Sequence, residues 1–139
     1  MNMDKERIKQ FLLIIRENNR KLKELKDAGK DTFLKDYKYN NTALRLLQIS
    51  IESMVNICNH IISRNGLRRP KDFSDSIAVL EENGIFSKDS SQRYQRMIQF
   101  RNRIVHLYWD IDLDYVYDLL TTNLKDFDLF IKEIIRYLQ

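Results

Sequence analysis
A chain of 139 residues that is 43% hydrophobic and 32% charged has the size and composition of one soluble globular domain, which excludes an intrinsically disordered chain. Its net charge of +4, from 24 Lys and Arg against 20 Asp and Glu, permits contact with nucleic acid without demanding it; a solvated surface of mixed charge is the simpler account. The lone cysteine, Cys58, excludes an intrachain disulfide, and its neighbours Val55, Ile57, Ile61 and Ile62 mark it as a buried thiol in a reducing compartment.

Three glycines and one proline are too little turn punctuation for a β-rich domain of this size, and helical periodicity dominates. The first predicted helix runs from about Asp4 to Lys26, with Ile8, Phe11, Leu12, Ile15 and Leu22 on one side. Its apolar run, Phe11 to Ile15, is too short and too soon followed by Arg16, Glu17 and Arg20 to be a secretory segment or a membrane span. A cytoplasmic protein without membrane contact is expected. Gly29 is placed to supply a left-handed cap.

The second helix begins near Thr32 or Tyr39 and ends before Gly66. Its residues Leu44, Leu47, Ile51, Met54, Cys58 and Ile61 advance in alternating steps of three and four, a seam suited to helix packing or to a dimer interface. After the basic connector Arg68-Arg69-Pro70-Lys71, one of Ser74, Asp75 or Ser76 caps a short third helix that ends at Gly84. The fourth runs from about Asp89 to His106 or a little beyond. Asp110, Asp112 and Asp114 then mark a helix start and not a metal loop, because the glycine and distal glutamate of a calcium loop are missing. The last helix carries Val116, Leu119, Leu120, Phe127, Phe130, Ile131, Ile134 and Leu138. Nothing divides residues 1–139 into domains, and the fold expected is an all-α, up-and-down bundle of four to five helices.

The fourth helix carries the chemistry. Tyr94, Met97, Ile98, Ile104, Val105 and Tyr108 form an apolar stripe, and Arg101 falls in the middle of it. A guanidinium on a face meant for burial needs an anionic partner or a polar cleft. Asn102 and His106 are four apart on an adjacent stripe with Gln95 and Gln99. On a continuous helix Tyr108 would project almost as Arg101 does, while His106 would lie about 140° away. One cleft could hold both only if the helix loosened near Val105 or a second copy closed it. An imidazole that titrates near neutrality and a planar cation matched to phosphate are what metal-free RNA cleavage through the 2′-hydroxyl requires. From spacing alone, the plainer reading is still a salt-bridged Arg101 and a His106 packed at a helix end. No metal or other cofactor is expected.

The stretch Phe100-Arg101-Asn102-Arg103-Ile104-Val105-His106-Leu107-Tyr108 resembles the Arg-x4-His-x-Tyr signature of HepT-like toxins in the HEPN superfamily. Asn59-His60-Ile61-Ile62-Ser63, Pro70 before a short helix, and Asn83-Gly84-Ile85 follow that family's order as well. The resemblance implies a dimerising helical bundle with two motifs around a shared cleft. It implies an endoribonuclease toxin in which Arg101, Asn102 and His106 act on RNA. It also implies a minimal nucleotidyltransferase antitoxin as partner, able to adenylylate Tyr108. A non-catalytic module that binds a nucleotidyltransferase or nucleotide is the alternative. In one departure, Asn56 stands about where the family often has an acidic residue, so no salt bridge to Arg101 is expected from it. His60 is expected to be structural, and Trp109 to make a core or dimer contact.

Overall fold
The computed structural model describes residues 2–139, with side chains from Asp4 onward. Among the described residues every regular element is helical: α1 (Asn2–Asp27), α2 (Lys30–Lys35), α3 (Tyr37–Arg64), α4 (Phe73–Glu82), α5 (Lys88–His106), a 3-10 turn (Tyr108–Asp110), α6 (Leu113–Thr122) and α7 (Lys125–Leu138). The all-α expectation holds, but the count is seven α-helices and not four to five. None of them is long and apolar enough to cross a membrane.

Two of the extra helices arise where polar side chains compete for the backbone. Asp36 separates α2 from α3, and its Oδ1 accepts from the Lys38 amide at 2.9 Å. Thr121 and Thr122 turn their hydroxyls onto the Tyr117 and Asp118 carbonyls, at 3.0 and 2.8 Å, and the chain breaks at Asn123. The apolar rhythm continues across that break, which is why periodicity alone reads one helix there. The cap of α4 is Asp72, which accepts from the Asp75 amide, and not Ser74, Asp75 or Ser76. Gly66 and Gly84, at φ +61° and +75°, close α3 and α4 with paired backbone bonds that a left-handed residue makes possible.

The four long helices close a ring: α1 packs on α3, α3 on α5, α5 on α7 and α7 on α1. Leu47, Ile51, Met54, Cys58 and Ile61 are all buried inside this ring and Leu44 is half-buried against it, so the seam of α3 serves helix packing within the chain. Opposite it lie Ile8, Leu12, Ile15 and Leu22 of α1, Tyr94 and Ile98 of α5, and Phe127, Phe130 and Ile134 of α7. Cys58 is fully enclosed, and burial pushes its thiol pKa well up, so it is inert packing. Helix α4 packs against α3 and α5, which brings its first turn alongside the Arg101 stripe.

A buried polar tie joins α5 to α7. Asp126, 3% exposed, accepts from Arg93 Nη1 at 3.0 Å, while Arg93 also reaches Asp89. Arg93 is therefore a structural residue and not simply a wetted charge. Asp126→Ala removes the buried half of this tie, leaving Arg93 only Asp89, and is expected to cost about 1–3 kcal/mol, measured as a lower urea midpoint at unchanged slope; an unaltered midpoint would mean the tie contributes nothing.

Candidate active site
Arg101 has the anionic partner that its position demanded. Its side chain is only 16% exposed, and its Nε and Nη2 donate to Glu52 Oε2 at 2.9 and 2.7 Å. Nη1 donates to Asn102 Oδ1 at 3.1 Å. The guanidinium lies over the ring of Phe73, 4.7 Å from the centroid, within cation–π range. Of its five N–H donors three are engaged, which leaves one on each terminal nitrogen. That pair suits two-point contact with a phosphate.

Glu52 comes from α3 and Phe73 from the first turn of α4. The sequence reading missed both. Asn56, one helical turn beyond Glu52, is exposed and plays no part. A signal was present, because Glu52 is the only carboxylate in the 28 residues of α3. Phe73 is the only large apolar side chain between Leu67 and Ile77, which was not enough to mark it.

Arg101, Asn102 and His106 line one open groove, whose other wall is Asp72, Phe73 and Ser74. The angular conflict between Arg101 and His106 is thus met by width: α4 supplies the facing wall and a single chain forms the groove. Gln95 fastens that wall, its Nε2 donating to the Ser74 carbonyl at 2.8 Å. His106 is exposed in the last turn of α5.

Tyr108 is not part of this groove. Helix α5 stops at His106, Leu107 turns away at φ −134°, and Tyr108 opens the 3-10 turn. Arg103 holds the turn back with Nη2 3.3 Å from the Asp110 carbonyl. The projection of Tyr108 beside Arg101 on a continuous helix is therefore corrected. Tyr108 and Trp109 are each 70% exposed, with their rings edge to face at 5.4 Å. Trp109 makes no core contact. With Val105 and Leu107 they form an apolar corner beyond the groove.

The other residues singled out from the sequence stand apart. His60 faces α1, with Nδ1 3.9 Å from Asp4 and its ring 6.1 Å from Phe11, a packing position away from the groove. Arg68, in the basic connector, is clamped by Asp75 and Glu82 at 2.8–3.0 Å and so fastens that connector to α4. Its guanidinium holds the Asp75 carboxyl well below the usual range. The three aspartates separate: Asp110 reaches Arg103, Asp114 reaches Lys30, and Asp112 caps α6, as expected of a helix start.

A ring of helices thus carries an ion-paired arginine and an exposed histidine on one groove. The family model described as "Ribonuclease HepT-like" matches residues 15–134, and the chain belongs to that family. An mRNA nuclease HepT of Shewanella oneidensis is 30% identical over 102 residues, covering 73% of this chain and 77% of its own. A tRNA nuclease HepT of Aphanizomenon flos-aquae is 27% identical over 119 residues, covering 84% and 80%. The fold is similar to that of the tri-AMPylated HEPN toxin of S. oneidensis, solved in complex with its MNT antitoxin. The TM-score is 0.88 at 26% identity, over 94% of this chain and 97% of that one.

Proposed function
We propose that this chain is an endoribonuclease toxin that cleaves RNA without a metal, and that Arg101, Asn102 and His106 are its catalytic residues. The observation that carries the reading is the groove itself: two free guanidinium donors and an exposed imidazole on one wall. In the proposed reaction His106 accepts the 2′-hydroxyl proton, O2′ bonds to phosphorus, and the P–O5′ bond breaks. O5′ leaves as a hydroxyl after taking a proton from a second acid. Arg101 meets the charge that grows on the phosphoryl oxygens. Asn102 orients Arg101 through its 3.1 Å bond. A homodimer with two motifs around one cleft would supply base and acid together, and the exposed apolar residues Val105, Leu107, Tyr108 and Trp109 support such a contact. Purified protein is expected to cut a mixed RNA substrate in EDTA; RNA left intact under those conditions would turn the reading towards a non-catalytic partner-binding module.

The antitoxin proposed is a minimal nucleotidyltransferase, as in the S. oneidensis complex. Tyr108 Oη would attack the α-phosphorus of ATP, pyrophosphate would leave, and the phenol proton would pass to solvent. The exposure of Tyr108 makes it reachable by a partner, and an added AMP would bring a phosphate and its bulk to the turn that follows His106. With its partner and ATP the chain is expected to gain mass in units of AMP, with the gain lost in Tyr108→Phe. Intact-mass spectra without that gain would rule out this mode of control.

A further inference from the structure
We propose that Phe73 is a positioning residue for Arg101, holding the guanidinium flat so that its two free donors face the groove. The proposal rests on the ribonuclease reading for its catalytic consequence. The stack on which it stands is geometric.

Burial does not explain Phe73. It is 37% exposed, in a connector whose other residues from Arg68 to Ser76 are charged, hydroxylated or proline. Its ring is spent on Arg101, 4.7 Å from the centroid. Glu52 and Asn102 grip the guanidinium by its edges. Edge contacts alone leave the guanidinium free to tilt about them, and a ring 4.7 Å from its central carbon limits that freedom. The ring is itself anchored. Asp72 caps the helix that carries it, Gln95 holds the next residue's carbonyl, Ser76 donates to Asn59 at 2.7 Å, and Arg68 clamps Asp75. Four ties to one turn of α4 are more than a surface cap needs, and they fix the ring that fixes the arginine. A catalytic cation oriented before substrate arrives loses less freedom in the transition state, so the gain appears in kcat.

Two variants separate the ring face from its volume: Phe73→Leu keeps apolar bulk, and Phe73→Tyr keeps the π face. Phe73→Leu is expected to lower kcat about 3- to 30-fold, the range that a cation–π contact spans. KM should stay near wild type, Tm should fall by no more than the loss of one such contact brings, and Phe73→Tyr should remain near wild type throughout. Proton NMR supplies a readout that needs no activity. The Arg101 side-chain protons should be shifted upfield by the ring in wild type and Phe73→Tyr, and should move back in Phe73→Leu. Arg101 shifts unaltered in Phe73→Leu would overturn the proposal, as would a loss confined to KM, which would make the ring a base platform. Equal losses in Phe73→Leu and Phe73→Tyr would overturn it too. Upfield-shifted Arg101 protons in a protein that cuts no RNA would leave the stack standing and refute the ribonuclease reading instead.

Discussion

His106→Ala is expected to lower RNA cleavage by about 10²–10⁴-fold, the usual worth of a proton-transfer group, with no change in thermal stability. The stability half of that expectation follows from place. His106 is exposed in the last turn of α5 and contributes nothing to the core. The same substitution at a packed histidine would cost stability first and activity second. His60 provides the control: it sits half-buried between α1 and α3, away from the groove, so His60→Ala should alter stability and spare the chemistry. Cleavage by His106→Ala at the wild-type rate would remove His106 from the mechanism.

Arg101→Ala is expected to lower kcat by about 10²–10³-fold, as when a transition-state donor is removed, with a smaller loss of RNA affinity. Arg101 differs from His106 in what it leaves behind. Glu52, 30% exposed, would lose its ion-pair partner and keep only the 3.2 Å bond from Gln48 Nε2. That carboxylate repels phosphate and is poorly solvated, so Arg101→Ala should also lose stability. Adding Glu52→Gln should restore the stability and part of the RNA affinity but none of kcat. Arg101→Lys should not rescue, because an ammonium cannot hold Glu52, Asn102 and a phosphate at once in one plane. A double variant with restored kcat would show that Arg101 serves only to neutralise Glu52.

The sequence made the helices legible because each long helix buries a stripe at helical spacing, as in Leu47, Ile51, Met54, Cys58 and Ile61. It concealed the break at Asn123 because apolar periodicity runs through it, while the local signal, two threonines and an asparagine, is polar and short. Arg101, Asn102 and His106 stood out as candidates because they are close in the chain and belong to one recognisable stretch, and they line one groove. Glu52 and Phe73 lie 49 and 28 positions before Arg101, and only the packing of α3 and α4 on α5 brings them to it. The general demand of a buried guanidinium for an anion was readable, but the identity of that anion was not. Tyr108 was misplaced for a local reason. No glycine or proline marks the end of α5, and the turn is held by Arg103 reaching forward to Asp110.

Cleavage by internal attack of the 2′-hydroxyl leaves its signature in the RNA ends. End-group analysis of RNA cut by the purified protein in EDTA, beside His106→Ala, tests it most directly. The wild type should leave 2′,3′-cyclic phosphate and 5′-hydroxyl ends, and the variant neither. Ends bearing 5′-phosphate and 3′-hydroxyl, or cyclic ends that persist in His106→Ala, would contradict it.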